Sequence, residues 1–224
     1  MVKLGFIVEG PTDRAVLENI IIGYFGEDIS EYFTPLQPRE LKDSGGWSRV
    51  ITYCQSTDFV DAFDDSDFVI VQIDTDQSFE FNVLHDENGE KLPVDTLVKN
   101  IRLYFDELFQ KAFGDTFLTQ FGQRILLAIT VHSTECWLLP LYFKVDKDKA
   151  AIKNCYQKLN KKIEGLNKTY KKYDNISAPY RNSKTLKKHS DINLSFKLFI
   201  EELLVKVPIQ AKNGENTEGV ILEK

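Results

Sequence analysis

The first part of the chain combines a short apolar run with a turn and the start of a helical pattern. Residues 4–8 are apolar apart from one glycine, and Glu9, Gly10 and Pro11 follow directly. A short apolar run bounded by turn residues is typical of a strand covered on both faces of a sheet. Proline is favoured in the first turn of a helix, where its missing N–H costs nothing. The pattern therefore predicts a buried strand, a tight turn and a helix over 11–24.

Two later apolar runs repeat the strand pattern, and segments with helical spacing separate them. The runs are 67–76, with the sequence DFVIVQIDTD, and 124–131, with the sequence RILLAITV. Helical spacing or helix-start signals predict further helices, over 47–55, 95–113, 148–163 and 195–205, and a short apolar helix after Ser133. The remaining segments are predicted as a weak strand over 33–36, an exposed acidic segment over 58–67 and a mobile loop over 79–93. This alternation predicts an α/β fold with a mostly parallel sheet flanked by helices.

Three carboxylates stand at the predicted carboxyl ends of two strands. Glu9 follows the first strand, and Asp74 and Asp76 close the second, two residues apart. Alternate side chains of an extended segment share a face, so Asp74 and Asp76 are expected to point to one spot. Ligands of open α/β sheets bind at this edge. Because clustered carboxylates repel each other unless a cation is present, and because Mg²⁺ and Mn²⁺ prefer oxygen ligands, the pattern predicts a site for Mg²⁺ or Mn²⁺.

These residues, in this order, resemble the Toprim domain of topoisomerases, bacterial primases, OLD-family nucleases and small bacterial phage-defence nucleases. The resemblance rests on a strand ending in V-E-G, with Asp13 three residues after the glycine, and on a later strand ending in D-x-D. It implies a Toprim, Rossmann-like catalytic domain over 1–143. It further implies that Glu9 is the catalytic glutamate and that Asp74 and Asp76 are the metal-binding pair, all three acting in catalysis.

The chain departs from the Toprim pattern directly after D-x-D. Many Toprim sequences continue with a small residue and a glycine, whereas Gln77 and Ser78 stand here. The turn that follows the second strand is therefore expected to differ from the usual one. Asp13, which belongs to the first half of the motif, is a further candidate site residue.

The third predicted strand is followed by H-S-T-E and then by the apolar helix. Glu135 thus lies just past a third strand end, and its surroundings also resemble the E-x-W-L-L stretch of some stand-alone Toprim proteins. Two interpretations of Glu135 stay open. It is either a fourth metal-binding carboxylate, serving a second ion, or a residue that stabilises the N-terminus of the helix electrostatically. His132 likewise either contacts the substrate or has a structural role.

The composition changes in the last third of the chain. The range 144–188 contains 14 Lys and Arg against four Asp and Glu, a formal charge of +10 in a chain whose net charge is −6. Basic residues bind phosphates, and interleaved tyrosines can stack on bases, so this range is predicted to contact nucleic acid. The residues expected to do so are Arg181, Lys184, Lys187 and Lys188. The alternative is a solvated helical face that keeps the protein soluble.

The resulting functional hypothesis is a metal-dependent phosphodiesterase that acts on DNA or RNA. The chain contains no G-x-x-x-x-G-K-[ST] loop, so an ATPase of that class would be a separate partner protein. The Toprim resemblance implies a bacterial phage-defence effector that works with such a partner, and a homodimer is left open. Two alternatives are a haloacid-dehalogenase-like phosphatase, with Asp74 as nucleophile and Asp76 as acid, and a non-catalytic Toprim-like nucleic-acid-binding or regulatory subunit.

Cysteine usage and hydropathy complete the expectations. Cys54, Cys136 and Cys155 form no C-x-x-C pair and suggest neither zinc nor a disulfide framework, so reduced thiols are expected. No run approaches the ~20 apolar residues of a membrane span, and the N-terminus lacks a signal-peptide pattern, so we expect a cytoplasmic protein without membrane contacts. After the Toprim-like domain, a basic helical region over 144–207 is predicted to pack on it, followed by a flexible tail over 208–224.

Overall fold

A four-stranded parallel sheet forms the centre of the molecule in a computed structural model that describes residues 1–87 and 89–208. The strands, including a separate two-stranded antiparallel hairpin, are β1 (Leu4–Ile7), β2 (Phe33–Gln37), β3 (Phe68–Asp74), β4 (Asp86–Glu87), β5 (Glu90–Lys91) and β6 (Ile125–Thr130). The order in the main sheet is β2-β1-β3-β6, with β4 and β5 forming the hairpin. The predicted α/β fold with a parallel sheet flanked by helices is confirmed.

Helices cover both faces of the main sheet. They are α1 (Pro11–Phe25), α2 (Trp47–Cys54), α3 (Thr57–Asp65), α4 (Val94–Phe113), α5 (Phe117–Phe121), α6 (Glu135–Tyr142), α7 (Asp146–Lys149), α8 (Cys155–Asn160), α9 (Tyr170–Ser177), α10 (Ser183–Ser190) and α11 (Leu194–Lys206). Alternate strand residues point to opposite faces. Leu4 and Phe6 accordingly join the hydrophobic cluster of α1, α6 and α8 to α11, whereas Ile7 joins that of α2 to α5.

The strand order creates a topological switch point between β1 and β3. From β1 the chain crosses to β2 on one side and then returns to β3 on the other, and both pairings are parallel. In open α/β sheets, ligands bind outside the carboxyl ends of the strands at such a point. Glu9 follows β1 by two residues and Asp74 ends β3, so both reach this edge of the sheet.

Two segments predicted to be irregular or exposed contain regular structure. The acidic range 58–67 is mostly helix α3, which buries Phe59 and Phe63 one turn apart. Phe59 stacks on Phe109 of α4 with ring centroids 5.0 Å apart, so aromatic packing orders a segment whose charges suggested full exposure. The range 79–93, predicted as a mobile loop, contains the β4–β5 hairpin.

The helix predicted over 148–163 is interrupted, which corrects that prediction. Helix α7 ends at Lys149 and α8 begins only at Cys155. Asn154 precedes α8 in the left-handed region, with φ +55, a conformation that asparagine tolerates better than most residues. Burial of Cys155 and Leu159 against the core therefore decides the path of the chain here, against the local helical spacing.

The expectation of three reduced thiols is wrong for two of them. Cys136 of α6 and Cys155 of α8 form a disulfide, with their Cα atoms 5.0 Å apart, while Cys54 is a buried free cysteine. The two helices pack against each other in the fold. Because 19 residues separate the partners, no local spacing rule could have identified this pair.

Residues beyond 143 contribute to the same core as the residues before them. Helix α9 packs against α1, and α11 packs against β6. The Tyr24 hydroxyl donates to the carbonyl oxygens of Leu203 and Val207, at 3.0 and 2.7 Å. Within the described residues, no helix combines the length and the hydropathy that a membrane crossing requires. Apart from Pro208, the tail predicted over 208–224 lies outside the described residues.

Replacing Gly23 with alanine should destabilise the protein. A Cβ atom at this position of α1 would lie 1.8 Å from the carbonyl oxygen of Tyr180, so the backbone of residues 178–181 would have to move. We expect Gly23→Ala to lower the free energy of unfolding in urea by about 1–3 kcal/mol, although alanine favours helix. Gly122→Ala is the control, because its Cβ would meet nothing closer than 3.8 Å. Equal stability of the two variants would contradict the close contact.

Candidate functional site

Glu9 and Asp74, which are 65 residues apart in the chain, meet at the carboxyl edge of the sheet. Glu9 Oε1 accepts a hydrogen bond of 2.6 Å from the backbone N–H of Asp74. The Glu9 N–H in turn donates to Gln72 Oε1 at 3.0 Å. The parallel β1–β3 pairing, with Ile7 opposite Val71, puts the two strand ends side by side and makes both bonds possible. The structure thus brings together the two residues on which the metal-site hypothesis depends.

A glycine pair fixes the position of Glu9 from the other side. Gly46 donates its N–H to the Glu9 carbonyl oxygen at 2.7 Å, and Gly46 has φ +107, which glycine adopts without strain. A Cβ atom on Gly45 would lie 1.8 Å from the same carbonyl oxygen, so only glycine permits this approach. The backbone amide of Trp47, at the start of α2, also interacts with the Glu9 carboxylate. The loop that precedes α2 therefore holds Glu9 at the sheet edge.

Asp74 is held by three neutral hydrogen-bond donors that the sequence reasoning missed. Its Oδ1 accepts from Gln72 Nε2 at 2.8 Å, from Thr134 Oγ1 at 3.3 Å and from the Thr130 hydroxyl. All three bonds go to the same carboxylate oxygen, Oδ1. Gln72 was detectable, because it is a polar residue inside an apolar strand and lies two residues before Asp74, on the same face.

Glu135 and Asp13 are both buried beside the Glu9–Asp74 pair. Glu135 Oε1 accepts a hydrogen bond of 2.5 Å from the Tyr173 hydroxyl and lies 3.8 Å from Lys168 Nζ. Asp13, in the first turn of α1, interacts with Glu135 and Lys168 and accepts a hydrogen bond from the Thr134 side chain. Lys168 is thus the basic residue that the structure brings to the carboxylates.

Five carboxylates are electrostatically coupled at this edge, and we refer to them as the carboxylate cluster: Glu9, Asp13, Asp74, Asp76 and Glu135. Burial raises the pKa of Glu9 to about 8, with further increases from Asp13 and Asp76. Burial likewise raises the pKa of Asp13 to about 6, and burial with the charges of Asp13 and Glu9 holds the pKa of Asp74 well above its usual range. Asp76 is exposed as a whole residue, but its carboxylate is partly desolvated. This desolvation and the charge of Glu135 raise its pKa. The positive charge near the cluster, which lowers the pKa values of Asp13 and Asp76, therefore does not balance its carboxylates.

His132 contacts the carboxylate cluster through its backbone. Its carbonyl oxygen accepts a hydrogen bond from the Asp76 N–H at 3.3 Å, and its own N–H donates to Thr75 Oγ1 at 2.9 Å. The residue has φ +65, an uncommon conformation for a residue with a side chain. Burial, followed by the nearby charge of His85, lowers the pKa of His132 to about 4. Its ring is therefore neutral at physiological pH.

The four basic residues predicted to contact nucleic acid lie away from the carboxylate cluster. Arg181 donates to Asp174 Oδ1 at 2.6 Å and also to Asn19, so it is engaged within the fold. Lys184, Lys187 and Lys188 are exposed on α10. That helix packs near Gly23, at the end of α1 opposite to Asp13, about 15 Å along the helix axis. Their role as nucleic-acid ligands stays a prediction.

The carboxylate cluster has the donor chemistry of a magnesium or manganese site. Among the described residues, no group of three or more His, Cys, Asp or Glu side chains is arranged as a ready set of ligands. The available donors are nevertheless carboxylate oxygens, the ligands that Mg²⁺ and Mn²⁺ prefer. Raised pKa values in Glu9, Asp13 and Asp74 indicate that a further cation would be electrostatically favoured there. The chemistry of these donors therefore suits such an ion, although their present spacing does not form a ready set of ligands.

The stability of the metal-free protein should fall between pH 7 and pH 8. In this range the folded protein retains the Glu9 proton, because the pKa is about 8, whereas an unfolded glutamate with its usual value of 4.5 has lost it. Raising the pH therefore lowers the free energy of unfolding. His132 does not obscure the effect, because unfolded histidine is mostly neutral above pH 7. The thermal midpoint, measured in EDTA at both pH values, checks this expectation.

Glu9→Gln should reduce this pH dependence, because glutamine has no proton to release, while the raised pKa of Asp74 leaves a smaller remainder. Glu107→Gln, at an exposed carboxylate on α4, is the matched control and should retain the wild-type slope. A midpoint that is independent of pH in the wild type, or one that falls equally in Glu9→Gln, would show that Glu9 is ionised in the folded protein.

Comparisons of the chain with protein-family models, with curated proteins and with solved structures find no match. The Toprim resemblance therefore stays a resemblance in sequence, carried by the residues around Glu9 and Asp74. The geometry and the charge of the carboxylate cluster are the basis on which a function can be assigned to this chain.

Proposed function

We propose that this protein is a Mg²⁺- or Mn²⁺-dependent phosphodiesterase of the Toprim type that cleaves nucleic acid. The observation that carries the proposal is the hydrogen bond between Glu9 and the Asp74 backbone at the topological switch point, inside a cluster of five coupled carboxylates. Carboxylates with raised pKa values at a ligand-binding edge are functional-site candidates. Oxygen ligands of this kind bind the ions that assist phosphoryl chemistry.

The carboxylates divide into those that would hold an ion and those that support them. Glu9, Asp74 and Asp76 would hold the first ion, and Glu135 would contribute to a second. When bound, the ions would supply Lewis acidity toward the phosphate and lower the pKa of a bound water. Gln72, through its contacts with both Glu9 and Asp74, would keep the two carboxylates in register.

Lys168 supplies a positive charge at this site. Its Nζ lies 3.8 Å from Glu135 Oε1, and its charge lowers the pKa values of Asp13 and Asp76. An ammonium in this place would pair with a non-bridging phosphate oxygen of the substrate once cations satisfy the carboxylates. The Lys168 side chain is exposed enough to move between these two partners.

The biological setting is proposed from the Toprim resemblance and not from the geometry. In that setting the chain is a cytoplasmic phage-defence effector that cleaves DNA or RNA together with a separate ATPase or sensor protein. A homodimer is compatible with this role. The basic residues Arg181, Lys184, Lys187 and Lys188 would then contact nucleic acid remote from the cleavage site.

The phosphatase alternative receives less support from the site. A haloacid-dehalogenase-like mechanism needs Asp74 as an ionised nucleophile. Here burial and the charges of Asp13 and Glu9 hold the pKa of Asp74 well above its usual range, which favours the neutral and less nucleophilic form. That mechanism also assigns no role to Glu9, whose carboxylate contacts the Asp74 backbone.

Cleavage of single- and double-stranded DNA and RNA oligonucleotides should require Mg²⁺ or Mn²⁺ and should depend on both Glu9 and Asp74. Because loss of a metal ligand removes several kcal/mol of transition-state stabilisation, Glu9→Gln and Asp74→Asn are each expected to reduce the rate at least about 100-fold. Glu107→Gln should cleave at the wild-type rate. Gel-based rates at saturating metal, with an aryl phosphate as a parallel substrate, measure this.

Metal binding can be followed separately from cleavage. At pH 8, Mn²⁺ should raise the thermal midpoint of the wild type, because the ion binds only the folded state. The Glu9→Gln/Asp74→Asn double variant should show no such rise. Cleavage that survives in both single variants, or metal stabilisation that persists in the double variant, would contradict the proposal. Metal binding and nucleic-acid binding without cleavage would favour the regulatory-subunit alternative.

A further inference from the structure

A small basic cavity lies next to the carboxylate cluster, on the β6 side of the sheet. It has a volume of about 80 Å³, and its basic lining residues are His85, Lys91, His132 and Lys153. We refer to the cavity that these four residues line as the basic cavity. Asp86 is the acidic residue among its lining, and the other lining residues are apolar. A cavity of this volume has room for several water molecules, since one needs about 10–15 Å³ of such volume, and therefore for a small anion.

Three separate parts of the chain supply the basic side chains, and His85 and Lys91 both come from the β4–β5 hairpin. Lys91 belongs to β5, His85 precedes β4, His132 follows β6, and Lys153 lies between α7 and α8. The two imidazole rings contact each other edge to face, with centroids 5.1 Å apart. The His85 Nε2 atom lies 2.5 Å from the Thr75 carbonyl oxygen, so this ring is held by the backbone of the strand end. The convergence of three chain segments gives the cavity a defined shape.

The charges of the two lysines are not balanced within the cavity. Lys91 and Lys153 approach closely enough that Lys91 lowers the pKa of Lys153, by a side-chain contact and by like charge. Asp86 opposes this with a single negative charge. Two lysines beside one carboxylate leave a net positive charge in the lining of the cavity. An anion placed between the lysines would remove their repulsion and would accept hydrogen bonds from both.

The basic cavity and the carboxylate cluster share one short segment of backbone. The Thr75 carbonyl oxygen contacts His85, and the next residue, Asp76, donates its N–H to the carbonyl oxygen of His132 at 3.3 Å. A positively charged cavity thus stands directly beside carboxylates suited to divalent ions. A nucleic-acid strand carries a phosphate at every nucleotide, so one phosphate can bind at the carboxylate cluster and the next in the basic cavity.

We propose that the basic cavity formed by His85, Lys91, His132 and Lys153 binds a phosphate group, namely the backbone phosphate next to the one that is cleaved. The identification of the phosphate donor as nucleic acid rests on the proposed function, whereas binding of the anion itself does not. The subsite would fix the register of the strand on the carboxylate cluster and would contribute to substrate binding more than to the chemical step.

The first test measures binding of inorganic phosphate to the metal-free protein. Isothermal titration calorimetry in EDTA on the full chain, carrying Glu9→Gln and Asp74→Asn, removes metal and cleavage from the measurement. Because hydrogen bonds to charged groups contribute strongly to binding, adding Lys91→Ala and Lys153→Ala should weaken phosphate binding at least about tenfold. Both lysines are exposed, so their replacement should leave the fold intact.

Lys99→Ala/Lys111→Ala is the matched control. It removes the same charge from exposed positions on α4 that do not line the cavity, and should leave phosphate affinity unchanged. No phosphate binding by the parent protein, or equal weakening in the control and in the Lys91/Lys153 variant, would overturn the subsite.

The second test places the subsite in the cleavage reaction. In otherwise wild-type protein, Lys91→Ala/Lys153→Ala should raise the KM for an oligonucleotide at least about tenfold while changing kcat less than about twofold. An unchanged KM would refute the assignment to a backbone phosphate. The two proposals can fail separately. If the wild type shows no cleavage, but Lys91→Ala/Lys153→Ala weakens phosphate binding and the control does not, the phosphodiesterase proposal fails and the anion subsite stands.

Discussion

The hydrogen bond from the Asp74 amide to the Glu9 carboxylate is the interaction on which the rest of the site depends. It joins the ends of β1 and β3, the two strands between which the direction of winding reverses. The bond requires that both strands end at the same level, which the parallel register provides. It also requires that a carboxylate be partly buried at the sheet edge, and this burial is the main cause of the raised pKa of Glu9.

This arrangement works against stability in the absence of a cation. A buried carboxylate without a counter-charge disfavours the folded state, and here several of them interact. Gln72, Thr130 and Thr134 offset part of the cost by donating to Asp74, and Lys168 supplies one positive charge nearby. These neutral donors and the charge of Lys168 do not neutralise five carboxylates. Such a mismatch is common at functional sites, where groups are arranged for a ligand and not for the folding of the free protein.

The sequence allowed prediction of the sheet and the strand-end acids, but not of the residues that surround them. Buried strands such as β3 and β6 are strongly apolar, and the carboxylates that follow them can be identified by position alone. Lys168 could not be assigned to the site, because it lies between α8 and α9 and reaches Glu135 only through the packing of those helices. The net charge of 144–188 drew attention instead to Lys184 and its neighbours. Charge composition indicates how much basic surface exists, whereas tertiary packing decides which part of it faces the site.

Thr75 explains why the acidic and basic regions are neighbours and yet remain separate. It is fully buried between Asp74 and Asp76, and its N–H donates to the Thr130 carbonyl oxygen at 3.0 Å, which extends the β3–β6 pairing. Its hydroxyl accepts from the His132 amide, and its carbonyl oxygen contacts His85. Strand β3 ends at Asp74, and the chain bends at Thr75 before it reaches Asp76. Thr75 thus holds His132 and His85 beside this strand end through its hydroxyl and its carbonyl oxygen. The proposed metal site and the proposed phosphate site therefore share the end of β3.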